Sequence, residues 1–141
     1  MPLPSREDYR SGFEHRLAIQ LYEAGINFEY ERERWDYMLP VHKGICDSCQ
    51  ATTVFSRRSY TPDFFLPCGI VIEAKGKCTS ETRTQLENIV KYNPDKDLRI
   101  VFMQDNWLTS SKKGRYTDWA KKLGIPVAVG SIPKEWLCDH K

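Results

Sequence analysis

Apolar residues recur four apart at Tyr9, Phe13, Leu17 and Leu21. That spacing lines one face of a helix, and Gly25 supplies a stop, so a helix is expected from Ser5 to about Ala24. Phe28/Tyr30 and Trp35/Tyr37/Leu39 then alternate with mostly charged positions, the period of one long or two short strands. From Pro40 to Ser59 the pattern lapses into VHKGICDSCQATTVFSRRS, too polar to write a core, which reads as an ordered insertion or loop. TPDFFL and GIVIEAK are strand-like runs separated by Pro67-Cys68-Gly69, whose turn chemistry predicts an antiparallel hairpin. Beyond Gly76, Thr79 or Ser80 can cap a helix with Leu86, Ile89 and Val90 on its apolar side and Asn93-Pro94 at its end. LRIVFM at 98–103 reads as a buried strand, and a polar loop from Gln104 to Arg115 follows. A short helix with Trp119, Ala120 and Leu123, stopped by Gly124, then leads to the strand-like IPVAV. This alternation predicts a mixed α/β domain with helices packed on a central sheet.

A chain of 141 residues that is 40% hydrophobic can bury one sizeable core but not two. The expectation is one domain, 1–141, with a cysteine-containing insertion at about 41–59. No segment approaches the ~20 apolar residues of a membrane span, and the first residues lack the layout of a secretory signal. A soluble, intracellular protein without a membrane partner is expected. The 21 Lys+Arg against 19 Asp+Glu leave only +2, so attraction to nucleic acid must come from local clusters. Five cysteines without a signal peptide fit reduced thiols, some of them metal-binding, better than a disulfide framework.

The hairpin carries the candidate chemistry. Residues two apart on a strand share a face, so Glu73 and Lys75 project together. If the preceding run pairs back across the turn, Asp63 becomes a neighbour of Glu73. Two carboxylates and an ammonium at one spot suit phosphodiester hydrolysis: the carboxylates and the Ala74 carbonyl can ligate Mg²⁺ (or Mn²⁺), and Lys75 can activate water and stabilise developing charge. Glu-x-Lys along a strand is also a common solvated pair. Against that stand Pro62 before Asp63 and the Val/Ile run before Glu73, where unpaired charge is expensive unless it has a use. Glu14, beside the apolar stripe of the first helix, taken alone reads as an ordinary helix-flank glutamate.

At these residues the sequence resembles the junction-resolving endonuclease I family of T-seven-type bacteriophages, within the PD-(D/E)XK nucleases. The likeness covers RSGFE (10–14), GINFEYE (25–31), YTPDFFLPCGIVIEAKG (60–76), LRIVF (98–102), KKLGIP (121–126) and IPKEW (132–136), in that order. The resemblance implies a restriction-endonuclease-like core, divalent-metal dependence and nicking of branched DNA across a four-way junction, with the host cytoplasm as location if the gene is a phage's. It matches Asp63 and Glu73 to metal-binding carboxylates, Lys75 to the catalytic lysine, and Glu14 to a helix-borne acidic residue that is catalytic and metal-binding. It also implies a homodimer exchanging a strand between the first helix and the catalytic aspartate. This chain departs there, since its Val41–Ser59 segment is longer and carries cysteines; it also shows neither a long basic N-terminal arm nor a long basic tail.

His42-x3-Cys46-x2-Cys49 has zinc-knuckle spacing and thiolate-imidazole chemistry that favours Zn²⁺, but a closed site needs a fourth ligand. Cys68 and Cys78 would lie roughly 30 Å apart if extended, so at most one completes it. Cys78 is nearer the incoming loop; Cys138 and His140 are the remaining candidates. Because acidic sites repel phosphate, a nuclease needs Lys/Arg along the backbone's path. Arg57 and Arg58 are the best candidates, with Lys112, Lys113 and Arg115 behind them. Two further readings compete with junction nicking: a nicking endonuclease of ordinary duplex DNA, and a non-catalytic, zinc-stabilised DNA-structure-binding protein.

Overall fold

The computed structural model describes residues 1–43 and 53–138, the side chains of 41–43 and 53 excepted. Its centre is a sheet of β1 (Glu29–Tyr30), β4 (Phe64–Phe65), β5 (Ile70–Lys75), β6 (Asp97–Phe102) and β7 (Val127–Val129), side by side in that order. β1, β4 and β5 pair antiparallel; β5, β6 and β7 run parallel. This is the mixed α/β class expected.

Both faces of the sheet are covered, which is why its strands read as continuous apolar runs rather than clean alternation. Phe64, Ile72 and Val101 pack under α1 (Gly12–Glu23) through Phe13, Leu17, Ala18 and Leu21. Phe65, Val71, Ile100 and Phe102 face α2 (Ser80–Tyr92), α3 (Tyr116–Leu123) and the first half of β2 (Trp35–Lys43). Thr79 caps α2, its hydroxyl accepting from Thr82 N at 3.2 Å. Gly124, at φ 82°, ends α3 in the left-handed conformation expected of a helix stop.

Three expectations are corrected. The first helix does not start at Ser5: a 3-10 turn at Arg6–Asp8 is followed by extended backbone at Tyr9 and Ser11. Ser11 is the N-cap of α1, its hydroxyl accepting from Glu14 N at 3.1 Å, and this satisfied amide outweighs the Tyr9 periodicity. The Pro40–Ser59 segment is not wholly loop. β2 continues to Lys43 and pairs antiparallel with β3 (Thr53–Tyr60), from Trp35↔Tyr60 to Lys43↔Thr53. Trp35 and Tyr37 anchor the ribbon in the core; β3 needs only backbone partners, so its own side chains can be polar. Finally, Cys68 and Cys138 form a disulfide, 5.8 Å between Cα atoms and 70 residues apart in sequence. The fold brings the β4–β5 turn to the segment after the 3-10 turn Lys134–Trp136, a proximity that no spacing argument reveals. Among the described residues no helix is long and apolar enough to cross a membrane.

Candidate active site

The β4–β5 hairpin pairs Phe64 with Ile72 and Phe65 with Val71. One step further, that register sets Asp63 opposite Glu73. Asp63 Oδ2 accepts from Ala74 N at 2.9 Å, and the Asp63 and Glu73 carboxyls are hydrogen-bonded to one another. Lys75 follows on the same side of β5, at the end of the sheet's parallel half. A small open cleft of about 200 Å³ here is lined by Glu14, Tyr60, Asp63, Glu73, Ala74 and Lys75, with Arg10 and Glu31 at its rim. Larger hollows of about 470 and 600 Å³ lie against α2 and α3. No pair of buried acids converges on them, so the chemistry belongs to the smaller cleft.

Glu14, Asp63 and Glu73 are only 8%, 7% and 2% exposed, the buried charged side chains among the described residues. Burial is the main force raising the carboxyls of both Asp63 and Glu73 above the usual range. Beyond burial, the charge of Glu73 and its hydrogen bond raise Asp63 further, while that same bond, Lys75 and Tyr60 favour the ionised form of Glu73. Both carboxyls are thus held above the usual carboxylate range, Asp63 by burial and the facing Glu73, and Glu73 by burial against the opposing pull of its hydrogen bonds and Lys75.

Glu73 and Glu14 are each held by hydroxyls. Tyr60 donates to Glu73 Oε2. Tyr30 donates to Glu14 Oε1 at 2.7 Å and Ser11 to Glu14 Oε2 at 2.8 Å. Burial first, then the neighbouring acid, keeps both phenols protonated by pushing their pKa values up. Glu14 thus lines the cleft with both oxygens engaged. Glu14 shares the cleft with Asp63 and Glu73, and its charge adds to the forces that raise both of their carboxyls.

Sequence reasoning missed Tyr60, Tyr30 and Ser11 as site residues. Ser11-x-x-Glu14 carries a capping-box spacing that could have flagged Ser11. The tyrosines had no such signal, because their approach depends on the ribbon and on β1 pairing with β4.

Of the basic candidates, Arg57 is bound to Asp36 at 2.6 Å on the outer face of the ribbon. Arg58 lies opposite Tyr37, on the face that also carries Tyr60. Lys112, Lys113 and Arg115 sit in the loop after β6, where the Arg115 guanidinium lies 4.1 Å from the Trp107 ring centroid. Cys78 is free and buried in the core against α2, and Cys138, being disulfide-bonded, is no longer a candidate zinc ligand. The His42 side chain, Cys46, Cys49 and His140 lie outside the described residues.

A mixed sheet with an aspartate at the entry to one strand and Glu-x-Lys on the next, all lining one cleft, has the layout of a PD-(D/E)XK nuclease core. The phage endonuclease I family profile matches residues 4–141, and the chain belongs to that family. It is 36% identical over 136 residues to endonuclease I of Escherichia phage T7, covering 94% of this chain and 80% of the phage protein. It is also 36% identical over 134 residues to endodeoxyribonuclease 1 of Enterobacteria phage T3, covering 94% and 79%. The chain is accordingly an endonuclease, a hydrolase acting on DNA.

Proposed function

We propose that this endonuclease nicks branched DNA of the four-way-junction type by Mg²⁺-assisted phosphodiester hydrolysis, with Asp63, Glu73 and Lys75 as its working residues. The observation that carries the chemistry is the buried Asp63–Glu73 pair beside Lys75. Two such acids cannot both ionise cheaply without a cation. Mg²⁺ takes one or two carboxylates and leaves the rest of its shell to water and phosphate, which fits a two-acid site better than a closed cage.

Asp63, Glu73 and the Ala74 carbonyl would hold the ion. The N–H and C=O of one strand residue point to the same edge, so the Ala74 N–H bonded to Asp63 implies a carbonyl turned toward the cleft. When bound, Mg²⁺ supplies charge neutralisation at the phosphate oxygens. Lys75 orients the attacking water and meets the charge that develops on the phosphate. Glu14, fixed by Ser11 and Tyr30, shapes the rim and adds negative field. Arg58 and the Lys112–Arg115 loop hold the DNA backbone, contacts that position a duplex without reading bases.

Selectivity for junctions rests on the likeness to the endonuclease I family in the segments around Glu14, Asp63 and Lys75. A homodimer belongs to the same reading, because the β2–β3 ribbon occupies the stretch between α1 and Asp63 where that family exchanges a strand. Labelled four-way junction and matching linear duplex, each with Mg²⁺ or chelator, test the proposal. Mg²⁺-dependent cleavage confined to the junction is expected. Equal nicking of both substrates would leave a duplex nickase, and binding without cleavage a structure-binding protein.

A further inference from the structure

We propose that Tyr60 is a positioning residue of this reaction: it sets the orientation of both Glu73 and Lys75, and through them joins the β2–β3 ribbon to the hydrolytic centre. The inference rests on the roles given above to those two residues.

Tyr60 is the last residue of β3 and is paired with Trp35. Trp35 is buried, and its ring meets Phe65 of β4 edge-on at 6.1 Å between centroids. The backbone of Tyr60 is therefore fixed from the core. From that anchor its hydroxyl donates to Glu73 Oε2, and its ring lies 5.1 Å from Lys75 Nζ. A strand fixes where Glu73 and Lys75 start but not where their long side chains end. The hydrogen bond selects which carboxylate oxygen of Glu73 remains for the cleft. The ring face attracts the ammonium electrostatically and offers it a seat other than the neighbouring acid. Among the described residues Lys75 has no carboxylate at ion-pair distance, although Glu73 is two positions away. One side chain thus prepares the acid and holds the cation apart from it.

Tyr60→Phe removes the hydroxyl and keeps the ring; Tyr60→Leu removes both. Three quantities separate the contributions: the single-turnover cleavage rate on a four-way junction, junction affinity in chelator, and the Mg²⁺ concentration giving half-maximal thermal stabilisation. Phe is expected to leave junction affinity unchanged, to slow cleavage about tenfold and to raise the Mg²⁺ requirement about tenfold, the lower end of what removing an outer partner of a metal ligand costs. Leu should share the Mg²⁺ shift and cut more slowly still, because Lys75 loses its seat. Wild-type values in Phe would overturn the proposal, as would parallel losses of cleavage and junction affinity in both variants, the mark of a merely structural tyrosine. Glu73→Gln in the same assay isolates the underlying reading: cleavage at the wild-type rate there would remove Glu73 from the reaction. If the wild type binds Mg²⁺ but leaves junctions intact, junction selectivity fails, while the Mg²⁺ requirement of Tyr60→Phe still decides the role of Tyr60.

Discussion

Glu73 is nearly inaccessible, yet its neighbours are another acid, a phenol and a lysine rather than a matched ion pair. Glu73→Gln and Lys75→Ala should each slow junction cleavage by about 100-fold or more, the scale for losing one preorganised charge-stabilising group, while junction binding in chelator stays intact. Residual cleavage near wild type would sink the assignment. Asp63 gives a prediction in pH. Its folded carboxyl is raised above the unfolded value by burial and by Glu73, so the folded state binds more protons. The contribution of Asp63 to stability is then full in acid and falls as pH rises through neutrality. Melts in chelator should show the wild type losing stability from pH 5 to pH 8. Asp63→Asn, which mimics the protonated acid, should flatten that slope and melt higher at pH 8. An equal slope in the two proteins would refute the raised Asp63 carboxyl. Asp63, Glu73 and Lys75 were legible in the sequence because strand period and hairpin turn are local rules. Tyr60 and Tyr30 were not, since a hydroxyl that reaches its partner across strands leaves no spacing to read.

The ribbon shows the same limit for whole elements. Trp35, Tyr37 and Leu39 announced β2 by alternation, but β3 reads TVFSRRSY and borrows its order from β2 through backbone bonds. Pairing assigns the two arginines to opposite faces, and this separates their effects. Arg58→Ala should weaken junction binding and lower its logarithmic salt slope by about one, whereas Arg57→Ala, with its partner Asp36 on the outer face, should change neither measurably. Salt-dependent binding titrations decide it; equal effects would remove the face argument. Cys46 and Cys49 lie in sequence between β2 and β3, outside the described residues. For them we propose a structural zinc, expected at about one per chain for a closed four-ligand site. Metal analysis of the purified protein, and of Cys46→Ser with Cys49→Ser, checks this. Zinc should vanish in the double variant together with stability that Mg²⁺ cannot restore, and its absence from the wild type would end the idea.

Across the whole molecule, alternating helix and strand patterns foretold the mixed α/β class, but not which strands lie side by side. The parallel pairs β5–β6 and β6–β7 join segments separated by α2 and α3, and periodicity within a segment says nothing about its neighbours. The Cys68–Cys138 bond was hidden for the same reason. It closes a long loop, so reduction should lower stability by about 2–4 kcal/mol. Cys68 lies in the turn before β5, and Asp63 and Glu73 are each five residues from it along the hairpin, at most about 17 Å away at about 3.3 Å per residue. Reductant should therefore lower the melting temperature and leave the initial cleavage rate at 25 °C unchanged, measured on one sample with and without the reagent. A matching drop in rate would mean that the bond holds the site itself.

The turn between β4 and β5 is tight: Leu66 N reaches Ile70 O at 2.9 Å, Gly69 N reaches Leu66 O at 3.0 Å, and Gly69 adopts φ 96°. Asp63 and Glu73 consequently meet through a short stretch of chain, whereas β6 and β7 must wait for their crossover helices. Nearby segments close before distant ones. The repulsion between the two acids is then felt while the chain is still assembling, at the moment the hairpin zips. Acid, or the divalent ion of the proposed reaction, should by silencing that repulsion speed refolding as well as stabilise the finished molecule.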